Sequence, residues 1–212
     1  MFNAALSAVQ TLTASRSPLP LEQDEATVDG WIMRALGIGK ARRPAPWLGG
    51  DVSKDTQRVV RRAMLDLGIA EMPEGSNRSP RIDEYTRAAG IPESLITTGK
   101  AYWCAAWATA MWRECGFETA GFGADGSCDR IMEWAKATLR WSKTPTLGAF
   151  ILYGVPGDAR HIGLVVRLSP LLTVEGNAAW GGEFTRNGEA VVLRRVRPEN
   201  TGILGYASLR PA

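Results

Sequence analysis

Histidine is all but missing from this sequence: among 212 residues only His161 carries an imidazole. That argues against a structural zinc site and leaves a single candidate base for any thiol–imidazole chemistry. Cysteine is nearly as scarce. Cys104, Cys115 and Cys128 make an odd count with no CxxC pair. A disulfide-dense scaffold and a zinc ribbon are therefore excluded, leaving thiols or one Cys115–Cys128 bridge. Excess charge is absent too. The 25 basic and 22 acidic side chains leave a net charge of +3, too little to argue for a nucleic-acid partner. No apolar run is long enough for a membrane span. Residues 1–20 lack a basic n-region and are interrupted by Asn3, Ser7, Gln10 and Thr11, so no secretory signal is expected.

What is present suits a soluble globular protein. Hydrophobic residues make up 45% of the chain, enough at this length to bury a core. Residues 1–50 read as an appendage. Short helices are expected over 2–12 and 25–36, followed by a Gly- and Pro-containing linker over 37–50. The segment Arg34, Lys40, Arg42, Arg43, Lys54, Arg58, Arg61 and Arg62 meets only Asp51 and Asp55. It reads as a solvated face, with attraction to an anionic surface as the functional alternative.

From residue 53 onward the pattern sharpens. Ser53 caps a helix carrying Val59, Val60, Ala63, Met64 and Leu67 and ending at Gly68. Ser79-Pro80 opens a second helix that stops near Gly90, and Cys104 opens a third that ends at Gly116. In this third helix Cys104, Trp107, Ala108, Met111 and Cys115 form one apolar face. A short helix is expected over 129–137. Five strands then follow, over 149–153, 162–167, 171–174, 190–196 and 203–209. Helices first and strands second is an α+β order, with helices packed on a mostly antiparallel sheet of five to six strands.

One constellation in this frame carries chemistry. A thiol becomes a good nucleophile when its thiolate is stabilised, and both a helix N-terminus and a neighbouring imidazolium do this. Cys104, in Tyr102-Trp103-Cys104-Ala105-Ala106-Trp107, has the first, and His161 can supply the second. The same helix end offers backbone N–H groups to an oxyanion. Glu175 and Asn177 lie two apart on an expected strand and so share a face. The carboxylate is expected to accept His161 Nδ1–H, and the amide to assist the ring or the oxyanion. Tyr102 and Trp103 are expected to wall the cleft. Asp125-Gly126-Ser127-Cys128-Asp129 is too sparse in carboxylates for a calcium loop and reads as a turn. Taken one at a time, Cys104 in an Ala/Trp-rich helix and His161 on an apolar strand both read as core residues; their combination raises the chemical reading.

These residues, in this order, resemble the CHAP-type cysteine amidases and peptidases, relatives of the NlpC/P60 and papain-like enzymes. Trp103-Cys104-Ala105-Ala106-Trp107 with Gly116 resembles their nucleophile helix. Gly148-Ala149-Phe150-Ile151-Leu152 resembles the strand before the histidine, His161-Ile162-Gly163-Leu164-Val165 the histidine strand, and Glu175-Gly176-Asn177 the strand of the remaining site residues. The approach segment Asn77-Arg78-Ser79-Pro80-Arg81-Ile82-Asp83-Glu84-Tyr85 is similar as well. Trp107 is a departure, since the family often has a smaller residue there. The resemblance covers residues 53–209, within a catalytic domain expected over 53–212, and residues 1–50 lie outside it.

The resemblance implies a papain-like, NlpC/P60-like fold and hydrolysis of an amide bond in peptidoglycan, with Cys104, His161, Glu175 and Asn177 as the catalytic set. The bond would be that of an N-acetylmuramoyl-L-alanine amidase or a stem-peptide endopeptidase. No metal or cofactor is needed for this chemistry. The expected partners are peptidoglycan and a phage or secretion-machine component, with an immunity protein if the chain is an injected toxin. Made in the cytoplasm without a signal peptide, the protein would reach the wall or periplasm through such a delivery route. Two alternatives stand beside this reading: a hydrolase of the same fold acting on a non-wall amide or thioester, and a structural module with a vestigial site.

Overall fold

The computed structural model describes residues 52–180, 188–197 and 202–209. The helices expected over 2–12 and 25–36, the linker over 37–50 and the first half of the basic stretch, Arg34, Lys40, Arg42 and Arg43, lie outside the described residues. Among the described residues five α-helices come first: α1 (Lys54–Leu65), α2 (Pro80–Ala88), α3 (Glu93–Thr97), α4 (Cys104–Glu114) and α5 (Cys128–Ala137). Six strands follow: β1 (Trp141–Ser142), β2 (Phe150–Val155), β3 (Asp158–Leu168), β4 (Leu171–Ala178), β5 (Ala190–Arg195) and β6 (Ile203–Ala207). They form one sheet of order β1-β6-β2-β3-β4-β5 in which every neighbouring pair is antiparallel. The α+β class and the antiparallel sheet of six strands are therefore observed.

Local chemistry accounts for the helix boundaries. Ser53 Oγ accepts from Thr56 N at 3.2 Å and starts α1. Ser79 Oγ caps α2, with Pro80 at its first position. At the end of α4, Gly116 has φ +78°, and Phe117 N returns to Trp112 O at 3.1 Å. The first helix ends earlier than expected. It stops at Leu65, and Gly68 N pairs with Val191 O at 3.0 Å, so this glycine turns the chain onto the sheet rather than closing the helix. Helix α3 and strand β1 carried too little periodicity to be expected from sequence.

The expected single apolar face of α4 gives way to burial on all sides. Every residue from Cys104 to Trp112 is buried. The helix lies between α2 and strands β3 and β4, so it has no solvent face to keep polar. Trp107 is fully buried, and its Nε1 donates to Asp66 Oδ2 at 2.9 Å. Gly176 makes room for that ring: a Cβ there would come within 2.8 Å of Trp107. The larger residue at 107 is thus absorbed in the core, against a glycine on β4.

Strand alternation divides the sheet between two clusters. Phe150 and Leu152 join the helix-side core, while Ala149, Ile151 and Tyr153 join a second cluster with Val165, Val196 and Tyr206. Alternation fails at one point that bears on function. Pairing of β4 with β5 shifts between Glu175 and Ala178, and Asn177 has φ +55°. Glu175 and Asn177 therefore do not follow the rule that places i and i+2 on one face.

Candidate active site

Cys104 is the first residue of α4, and no side chain caps that helix at Trp103. The Ala105 N–H is directed at the Cys104 sulfur. Such unpaired first-turn amides carry the positive end of the helix dipole. His161 lies within β3, three residues into the strand rather than at its start. Both side chains are buried, with Cys104 7% and His161 3% exposed. They are hydrogen-bonded to each other.

His161 Nε2 lies 3.0 Å from Glu175 Oε2. This corrects the expected Nδ1 contact: the carboxylate holds Nε2, which leaves Nδ1 for the thiol. Glu175 is completely buried and saturated. Its Oε1 accepts from Tyr153 Oη at 2.9 Å and from Thr173 Oγ1 at 2.6 Å. Arg194 Nε lies 3.2 Å from Oε2, an ion pair rather than an aligned hydrogen bond. Gly163 opposes this side chain on β3, where a Cβ would come within 2.5 Å of Glu175 Cγ. Only glycine leaves the carboxylate its position.

The electrostatics follow from these contacts. The hydrogen bond from Cys128 is the largest influence on Cys104; burial opposes it, and His161 adds to it, so the thiol is held well below its ordinary range. Burial disfavours the His161 cation, but hydrogen bonds to Cys104 and Glu175 outweigh it and raise the imidazole to about 9. Burial likewise opposes the Glu175 charge, and His161, Arg194 and Thr173 together bring it down to about 2. The contacts thus favour the charged forms of Cys104 and Glu175 as anions and of His161 as a cation, with the Arg194 guanidinium beside them. That balance is what makes four buried charges tolerable. Cys115 behaves differently: burial pushes its thiol up to about 11, so it stays protonated and inert.

Not all expected site residues converge here. Asn177 is 1% exposed, and neither its amide nitrogen nor its oxygen has a hydrogen-bond partner among the described residues. It is not hydrogen-bonded to His161. Trp103 cannot wall an open cleft, because it is fully buried with Nε1 donating to Glu71 Oε1 at 3.0 Å. Tyr102, 53% exposed, is the neighbour that faces solvent. No three His, Cys, Asp or Glu side chains are grouped to hold a metal among the described residues. No helix of the described residues is long and apolar enough to cross a membrane.

Sequence reasoning missed four members of the site. Thr173 stands two before Glu175, a spacing that strand periodicity exposes. Arg194 is a charge that directly follows the apolar run Ala190-Val191-Val192-Leu193 on the same expected strand, which is the signal that marks it. Tyr153 had no local signal, being placed by its register opposite His161. Cys128 was weighed only as a partner for Cys115. None of the three cysteines is in a disulfide, and Cys128 Sγ stands 3.8 Å from Cys104 Sγ instead. Compared with known proteins, the chain matches no family model, no curated protein and no solved structure.

Proposed function

We propose that this chain is a cysteine hydrolase that cleaves an amide bond of peptidoglycan, on a papain-like, NlpC/P60-like scaffold. One observation carries the enzymatic part: Cys104 begins an uncapped helix and is hydrogen-bonded to His161, whose Nε2 is held 3.0 Å from a buried, ionised Glu175. The substrate class rests on the ordered resemblance of the Cys104, His161 and Glu175-Gly176-Asn177 segments to CHAP-type enzymes.

In this reading the Cys104 thiolate attacks the carbonyl carbon and forms a C–S bond. The oxyanion forms at the α4 N-terminus, where the Cys104 N–H can donate to it. His161 gives its Nδ1 proton to the amine as the C–N bond breaks. It then takes a proton from the water that releases the acyl group, which regenerates the thiolate–imidazolium pair. Glu175 keeps the ring oriented throughout and stabilises its cation before acylation and after deacylation. Phage-borne delivery or injection into a competing cell remains part of the proposal, with an immunity protein as the partner expected in the second case.

The test is digestion of purified sacculi followed by mass spectrometry of the soluble fragments. New amine and carboxyl ends are expected with the wild-type chain and not with Cys104→Ala. Sacculi left intact by a protein whose Cys104 is rapidly labelled by a thiol reagent at pH 6 would instead favour a hydrolase acting on a non-wall amide or thioester.

A further inference from the structure

The catalytic reading uses Cys104 and leaves its neighbour unexplained. Cys128 is the first residue of α5, capped by Ser127, whose Oγ accepts from Arg130 N at 3.4 Å. The turn before it rests on the start of α4. A Cβ on Gly126, whose φ is +64°, would lie 2.9 Å from Ile91 Cδ1 and 3.8 Å from Ala106 N. Asp129 Oδ1 accepts from Ala159 N at 2.6 Å and so fastens α5 to β3 two residues before His161. The fold thus holds two helix N-termini against each other, each presenting a sulfur, with Sγ–Sγ 3.8 Å. Both cysteines are 7% exposed. A bulky oxidant is kept out, but a small one needs little room.

We propose that Cys104 and Cys128 form a reversible dithiol–disulfide site that closes the nucleophile under oxidation and returns it under reduction. A disulfide needs the sulfurs about 2.05 Å apart, so side-chain rotation must close about 1.8 Å. The oxidant is a hydroperoxide. The Cys104 thiolate attacks the peroxide oxygen, the O–O bond breaks, and with one proton taken up the products are a sulfenic acid and water or alcohol. Cys128 sulfur then attacks the Cys104 sulfur. The S–O bond breaks, the S–S bond forms, and the departing hydroxide takes the thiol proton to leave as water. Two thiols supply the two electrons that reduce one peroxide. A dithiol reductant reverses the bond by exchange. In the oxidised form Cys104 has no thiolate to attack with. This consequence rests on the nucleophile assigned above, whereas formation of the bond does not.

The experiment treats the full-length Cys115→Ser chain, fully reduced and freed of reductant, with equimolar hydrogen peroxide. The remaining thiols are then alkylated in denaturant and the protein is digested with trypsin. The Cys115→Ser background is needed because Cys115 and Cys128 share the tryptic peptide 114–130, while Cys104 lies in 101–113. The expected result is a linked pair of these peptides, lighter by two hydrogens than their sum, with hydrolytic activity lost and then restored by dithiothreitol. When this chain and its Cys128→Ala variant are both given an excess of peroxide, at least two per Cys104, the variant should be driven to the sulfinic acid, which dithiothreitol does not reduce, with activity lost for good, while the pair protects Cys104 in the other. A Cys104 that over-oxidises equally with and without Cys128, and no linked peptide, overturns the proposal. A linked peptide in a protein with no hydrolytic activity when reduced upholds the pair and removes the hydrolase reading.

Discussion

His161 stands between two anions, and most of the measurable chemistry of the site follows from that. Replacing Cys104 or His161 with alanine is expected to lower hydrolysis by roughly four orders of magnitude, because the two groups act as a unit. Cys115→Ser should leave it near wild type, since that thiol is held protonated by burial. Steady-state rates on solubilised wall fragments check both. The pH profile has a definite sign. Activity needs the thiolate and the imidazolium together. It should rise as pH climbs through the depressed Cys104 value, hold across neutrality, and fall as His161 loses its proton near pH 9. Glu175 helps to raise His161, so Glu175→Gln should move the alkaline limb to lower pH as well as reduce the rate. An alkaline limb that stays put in Glu175→Gln would show that the carboxylate does not act on the ring. That substitution also leaves Arg194 without its buried counter-charge, so thermal unfolding of the variant should be recorded alongside.

At the scale of elements, the site depends on close approaches between α4, β3 and β4. Gly163→Ala inserts a methyl group where only 2.5 Å separates it from Glu175 Cγ. The strand is expected to survive at a cost of about 1–3 kcal/mol, typical of overpacking. Displacement of the carboxylate should nevertheless reduce turnover severely. A folded Gly163→Ala chain with wild-type turnover would mean that Glu175 need not sit where it does. Trp107→Ala empties the core between α4 and β4 and takes the donor from Asp66 Oδ2, leaving Arg62 on Oδ1, and denaturant titration should show a loss of about 3–5 kcal/mol. The helices were largely legible because their boundaries are written locally, in Ser53, in Ser79-Pro80 and in Gly116. The all-round burial of α4 was not, because it comes from partners on either side that no helical periodicity announces.

For the whole molecule, the sheet order matters most. Strand β6 is the last of the described strands in sequence yet lies between β1 and β2, pairing with both. The sheet is therefore incomplete until residues 203–207 are in place. A chain cut before Ile203 should leave β2 with an open edge and aggregate, which sedimentation of the expressed product would reveal. The proposed activity also predicts a dependence on compartment. A wall hydrolase made in the bacterial cytoplasm should be nearly harmless, while the same chain sent to the periplasm by an added secretory signal should round or lyse the cells. Periplasmic Cys104→Ala should not. Equal toxicity in both compartments would point to an intracellular target. Since the Cys–His chemistry proceeds without a Lewis acid, hydrolysis should survive EDTA and be abolished by iodoacetamide; EDTA inhibition reversed by calcium or zinc would contradict this.

By itself the sequence determined the α+β order, the starts of α1, α2 and α4 and the pairing of a unique histidine with one of three cysteines, because caps, periodicity and residue scarcity are local or compositional facts. It also pointed to Glu175 and Asn177 as the partners of that histidine, without excluding other carboxylates. Tertiary structure decided between them at the ring: the bulge after Glu175 and the positive φ of Asn177 break the alternation on which the sequence argument relied. It also decided which nitrogen of His161 meets the carboxylate, and that Trp103 faces the core. The approach of Cys128 to Cys104 belongs to the same class. Two residues on separate helices meet because the Gly126 turn packs on α4 and Asp129 binds β3, contacts between segments distant in the chain that no local pattern encodes.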